Sequence, residues 1–343
     1  MNWFYQIELK LFFIMRISKF FIVLLLVLFS CSKVIFTNKL MFMQVNPYEN
    51  NTTINAISNN FKKSEANLYS NLTLTLLNDE ISINDHKIYT LSYFKNTTNL
   101  IELNLKNNKS KIISNKNESP QVKTLLNNNI YYSSNYVSNN YLIKKDLITN
   151  KEFKKEFNGY FFNYLICEND KIFAFVSENK NNKEYILQLN KNDLSIISKN
   201  YINRNSNSNS RPIIKNNTIY YVDAKNRINI YDFVKNKMST FKLKIKDPQK
   251  LIYDKNKIYI NSFNKNTMSS FEKRIEIFDL SNKKSKCYQM DYFVNSFVVK
   301  DNYLFTLSND FLVKYNITNL KKENIFKINK KRNNYTNELF LLD

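Results

Sequence analysis

The chain has 343 residues, with one glycine, one histidine, four prolines and three cysteines. It carries 51 Lys and Arg against 29 Asp and Glu, a formal charge of +22. One glycine, Gly159, excludes glycine-rich phosphate loops, dinucleotide fingerprints and nucleophile elbows. One histidine, His86, excludes multi-His metal sites and weighs against Ser-His-Asp catalysis. A binding or scaffold protein without cofactor, metal or catalytic residues is the class that composition favours. Hydrophobic residues make up 43%, enough for a sizeable core. Asparagine is the outlier, with 59 copies, and lysine outnumbers arginine 45 to 6. Both belong to AT-rich codons, so part of the charge reflects genome composition.

Arg16 to Lys19 form a positively charged lead, followed by the uncharged run Phe20 to Phe29 and then Ser30-Cys31. This is the layout of an export signal, and Met15 starts one of ordinary length. Ten apolar residues fall short of the about 20 that a spanning helix needs. Leu28-Phe29-Ser30-Cys31 resembles a bacterial lipobox. That resemblance implies cleavage after residue 30 and lipid on Cys31, hence a membrane-tethered protein outside the cytoplasm. An ordinary signal peptide or membrane anchor is the alternative. Ser32 after the cysteine favours the outer membrane over retention in the inner one. Without residues 1–30 the charge is still about +20, so the basic character belongs to the exported part.

Residues 31–65 read as a polar, weakly periodic tether, and 66–343 as the folded domain. Leu72 to Leu76 alternates with period two, a strand signal. From there a polar turn followed by an aromatic strand recurs six times. Its anchors are Ile88, Ile130, Ile172, Ile219, Ile258 and Leu304, about 43 residues apart. A second element ends in Asn104, Asp146, Asn190, Asp232, Asp279 or Asn316, at nearly the same spacing. Asp or Asn leaving a strand bonds its own downstream backbone and starts a tight turn.

Four short strands in about 43 residues resemble the blade of a β-propeller of the quinoprotein-like or WD-like kind. The expected fold is all-β, with six four-stranded blades over residues 81–330. A seventh, degenerate blade made from Leu72–Leu77 and Glu338–Leu342 is the alternative.

Single residues add little chemistry. His86 sits in a turn. Asp146, Asp232 and Asp279 occupy equivalent repeat positions and read as turn formers, one per blade. Alternation predicts that Tyr131-Tyr132 and Tyr220-Tyr221 each place one ring inside and one outside. Cys167 and Cys287 lie in strand-like runs and read as unpaired thiols, although an oxidising compartment permits a disulfide. Lys144-Lys145, Lys154-Lys155, Lys283-Lys284 and Lys330–Arg332 are basic patches. Export argues against nucleic acid as their partner. Asn203 to Ser210 reads as a low-complexity loop between blades.

The layout of lipobox, short tether and one propeller resembles the propeller lipoprotein of the outer-membrane β-barrel assembly machinery. It implies a non-catalytic scaffold, anchored by lipid on the periplasmic side of the outer membrane, with an envelope protein as partner. The alternative is a surface-exposed lipoprotein that binds a host or environmental ligand.

Overall fold

The computed structural model describes residues 40–342 except 59, 63, 75–80, 95–96, 137–138, 181–182, 203–209, 265–269 and 330–333. Cys31, the signal run, Lys330–Arg332 and most of the Asn203–Ser210 loop lie outside the described residues.

The described chain is all β: seven four-stranded antiparallel sheets, each one blade. The first blade takes three strands from the start of the domain, β1 (Leu40–Asn46), β2 (Asn51–Ile57) and β3 (Ser64–Ser70). The next six blades are consecutive in the chain. They are β4 (Ser82–Asn84), β5 (Lys87–Phe94), β6 (Thr97–Asn104) and β7 (Lys109–Ile112); then β8 (Pro120–Leu126), β9 (Asn129–Tyr136), β10 (Asn139–Asp146) and β11 (Glu152–Glu156). The fourth blade is β12 (Tyr160–Glu168), β13 (Lys171–Glu178), β14 (Glu184–Leu189) and β15 (Ile196–Ile202). The fifth is β16 (Ile213–Lys215), β17 (Thr218–Val222), β18 (Arg227–Asp232) and β19 (Lys237–Lys242). The sixth is β20 (Pro248–Asp254), β21 (Lys257–Asn264), β22 (Ser270–Asp279) and β23 (Lys284–Gln289). The seventh is β24 (Ser296–Lys300), β25 (Tyr303–Leu307), β26 (Phe311–Asn316) and β27 (Lys322–Lys327).

The last strand, β28 (Tyr335–Leu341), returns to the first blade and pairs with β1, Leu40 opposite Leu341. This closes the ring, and it corrects two expectations. There are seven blades, so the alternative count holds and six does not. Residues 40–65 also belong to the first blade and are not tether. Leu72 and Leu74 lie on the link out of that blade, with Leu74 bridged to Ser92. The N-terminal strands were hard to read for a physical reason. All seven residues of β1 are buried, so its sequence LMFMQVN shows no alternation.

Among the described residues, six core clusters hold the ring, and each straddles the boundary between two neighbouring blades. The second strand of a blade is therefore covered on both faces. Tyr131 packs toward the fourth blade and Tyr132 toward the second. Tyr220 packs toward the sixth and Tyr221 toward the fourth. All four rings are buried, which corrects the expectation of one exposed ring per pair. The first and second blades are joined by the Tyr69 hydroxyl donating to the Asn104 carbonyl at 3.2 Å and by the Asn67 amide to the Leu105 carbonyl at 3.3 Å.

The asparagine excess has a structural outlet. First-to-second strand turns are two-residue hairpins: Asp85-His86, Asn127-Asn128, Asn169-Asp170, Asn216-Asn217, Lys255-Asn256 and Asp301-Asn302. In four of them both residues have positive φ, for example 47° and 63° at Asn169 and Asp170. Type I′ turns require this and match strand twist. In five blades the third-to-fourth strand corner closes through a backbone bond from the fifth residue to the first, such as Asn150 to Asp146 at 2.9 Å. The fifth corner residue has positive φ, and Asn108, Asn150 and Asn236 occupy it in three blades. Asn tolerates this conformation better than other residues with a Cβ.

Lys283 fills the same corner position at φ 58° with an exposed side chain. Lys283→Asn is expected to stabilise the protein by about 0.5–1 kcal/mol, read as a higher urea midpoint with unchanged m-value. An unchanged or lower midpoint would show that the left-handed corner costs lysine nothing.

Candidate interaction surfaces

Antiparallel blades sort their connections onto two faces. The hairpins and corners share one end of the strands, called here the turn face. The second-to-third strand turns and the blade-to-blade links share the other, the link face. β1 ends at the link-face turn 47–50, so Leu40 lies at the turn face, opposite Leu341.

The turn face is built from the predicted turn formers. The Asp146 carboxylate accepts the N–H groups of Ile148 and Thr149 at 2.8 and 2.7 Å. Asp232 accepts those of Val234 and Lys235 at 2.9 and 3.0 Å, and Asp279 that of Ser281 at 2.8 Å. Asn104, Asn190 and Asn316 do the same with their amide oxygens. The equivalence identifies the aspartates as turn formers. These bonds from backbone N–H groups hold all three carboxyls below the usual range. A depressed folded pKa contributes stability above the unfolded carboxylate pKa, lost as pH falls through the folded value. Replacing all three by asparagine should leave the neutral-pH fold intact and move the acid-unfolding midpoint to lower pH. An unmoved midpoint would show that these corners do not set acid stability.

Other predicted residues also find structural roles. His86 is the second residue of its hairpin, at φ 58°, and its carbonyl accepts the Leu105 N–H. Cys167 and Cys287 are free thiols in different blades, and burial pushes Cys167 up to about 11. Tyr131 donates to the Lys191 carbonyl at 3.0 Å and is pushed up to about 12 by burial. Lys145 is no surface patch: it is buried, donating to the Ile113 carbonyl at 2.8 Å beside Glu152. Lys154 lies 3.8 Å from the centre of the Tyr141 ring.

Two polar features were not foreseen. The innermost strands carry a cluster in which Lys250 pairs with Glu338. Ser296 donates to Glu338 at 2.8 Å and accepts from Lys250 at 3.2 Å and from the Leu339 N–H at 3.1 Å. It ties β20, β24 and the closing strand β28 together. Fully buried Glu276 accepts the N–H groups of Lys244 and Ile245, each at 2.8 Å. It fastens the link between the fifth and sixth blades. Its partners are 31 and 32 residues away, beyond the reach of local pattern.

Most exposed aromatic rings among the described residues stand at the link face; Phe153, 44% exposed, is at the turn-face end of β11. Tyr48 lies in the 47–50 turn and is 76% exposed; Phe293 lies in the 290–295 link and is 46% exposed. Phe161 and Tyr335 stand at the link-face ends of the inner strands β12 and β28, also exposed. Gly159, at φ 83°, turns the link that leads into β12, and its carbonyl accepts the Asn179 N–H at 2.8 Å. Such rings offer large contact area at low conformational cost, the usual anchors of protein recognition.

No protein-family model and no curated protein matches the sequence. Among solved structures, the chain is similar to the computationally designed Ika8 protein, at TM-score 0.53 and 8% identity. That match covers 91% of this chain and 93% of the other. It is also similar to BamB from Moraxella catarrhalis, at TM-score 0.49 and 14% identity, over 76% of this chain and 80% of that one. The first is a likeness of fold alone. The second superposes too loosely to carry a role across.

Proposed function

We propose that the chain is a lipid-anchored protein of the cell envelope, whose propeller is a non-catalytic scaffold binding another envelope protein. The carrying observation is the link face, where Tyr48, Phe161, Phe293 and Tyr335 stand exposed on a ring fixed by inter-blade cores. A rigid ring presenting aromatic anchors binds with little ordering cost. The N-terminal export signal and Cys31 supply the compartment and the tether. The layout of tether and single propeller supports outer-membrane protein assembly as the process served. Lysine side chains in the interior are committed to structural bonds, as at Lys145 and Lys250, which favours binding over bond chemistry.

Affinity purification from solubilised membranes tests this. An envelope protein is expected to co-purify with the wild-type chain. Tyr48→Ser with Phe293→Ser should lower its recovery about tenfold or more, since aromatic hot spots carry at least about 2 kcal/mol each. Equal recovery with both forms, or no envelope protein at all, would overturn the reading.

A further inference from the structure

We infer that the turn face is a membrane-docking surface, resting on an anionic lipid leaflet while the link face points away. The inference rests on the lipid-anchor reading and adds an orientation to it. Three observations meet on this face.

First, every third-to-fourth strand corner carries at least one lysine: Lys62, Lys106, Lys151, Lys191, Lys235, Lys283 and Lys321 follow the seven blades in order. Lys106, Lys191 and Lys235 contact Asp85, Asp170 and Asp232. Lys62, Lys151, Lys283 and Lys321 are exposed and have no carboxylate partner among the described residues. Four cations without carboxylate partners thus stand around one end of the propeller, beside the corner aspartates Asp146, Asp232 and Asp279, and are available to anionic headgroups.

Second, the most exposed aliphatic side chains of the described residues stand among these lysines. Ile148 and Val234 are 74% and 79% exposed. Each is the second residue after its corner aspartate, Asp146 or Asp232, so each crowns a corner. The backbone beneath is fixed by the aspartate bonds, and nothing in those bonds calls for an aliphatic residue there. Asn192, Ser281 and Thr318 hold the equivalent place in other blades. Apolar tips within a basic surface match the lipid-water interface, where tips enter the acyl boundary and cations meet phosphates.

Third, the chain enters the propeller on this face. Leu40 begins β1 at the turn face, and eight residues separate it from Cys31. At full stretch they span about 28 Å. Strands of six or seven residues put the link face a further ~20 Å from the entry point. A lipid on Cys31 is therefore tethered closer to the turn face than to the link face.

The test uses the protein purified from membranes with lipid on Cys31, in which cleavage after residue 30 has removed Trp3, so that one added indole reports its own position. Val234→Trp marks the turn face and Tyr48→Trp the link face. Each form is reconstituted into vesicles of phosphatidylcholine with brominated phosphatidylglycerol. The V234W indole is expected to be quenched roughly threefold more than the Y48W indole. Glutamate at Lys151, Lys235, Lys283 and Lys321 should bring the two to near equality, with the protein still sedimenting with the vesicles. Circular dichroism of that variant should match the parent.

Equal quenching of the two indoles in the parent chain overturns the orientation and leaves the anchor standing. Stronger quenching of Y48W also overturns it, and leaves the lysine ring free for an acidic protein. Failure of the parent chain to sediment overturns the anchor reading and the docking with it.

Discussion

Deleting residues 335–343 is expected to abolish cooperative folding of the propeller. β28 is the inner strand of the first blade, and removing it strips β1 of a hydrogen-bonded neighbour from Leu40 to Val45. It also removes the fully buried Leu339, whose cluster joins the first and seventh blades. Lys250 loses its carboxylate, which leaves a cation among the inner strands. The total exceeds the margin of about 5–15 kcal/mol that a domain of this kind holds in reserve. A graded version avoids wholesale unfolding: Leu339→Ala should cost about 2–5 kcal/mol. Chemical denaturation followed by circular dichroism reads both. A truncated chain with a wild-type melt would show that the ring is not closed by this strand.

The second large effect is expected at Glu276. Glu276→Ala leaves the N–H groups of Lys244 and Ile245 without their acceptor, the first part-buried and the second buried. Each such group costs about 1–3 kcal/mol, so the loss should be about 2–5 kcal/mol. Glu276→Gln keeps an acceptor oxygen and should recover about half of it. The neighbouring third-strand position in the seventh blade is Val313, so the repeat itself does not demand a carboxylate. Hydrogen exchange would localise the damage to Lys244 and Ile245 and the strands they join. Equal stability of E276A and the parent would show that another group holds the link.

Much of the ring was legible because its punctuation repeats. Hairpins at Asp85, Asn169 and Asn216 announce each second strand, and Asp146, Asp232 and Asp279 end each third one. These are local effects of side chains on nearby backbone, so local sequence records them. The first blade escaped this reading because its strands carry different signals. β1 is buried along its whole length, and as the second strand of a blade whose inner strand is β28 it is not introduced by a hairpin. That inner strand comes from the far end of the chain, a pairing that no local pattern can encode.

The interaction surfaces divide in the same way. The corner lysines and the aspartates beneath them are readable as a period. The gathering of Tyr48, Phe161, Phe293 and Tyr335 at one face is not, because it depends on where each strand begins and ends. The tyrosine pairs were misplaced for a related reason. Alternation assigns a residue to one side of a sheet, but in a ring of blades both sides of a second strand are interior.

Photo-crosslinking in living cells reads whether the ring presents its link face to an envelope protein. A photoreactive amino acid is placed at position 48 in one strain and at position 234 in another. Position 48 is expected to give a discrete protein adduct, identified as an envelope component, and position 234 none. No protein adduct from position 48, or the same adduct from both positions, would show that the link face is not the protein-binding surface.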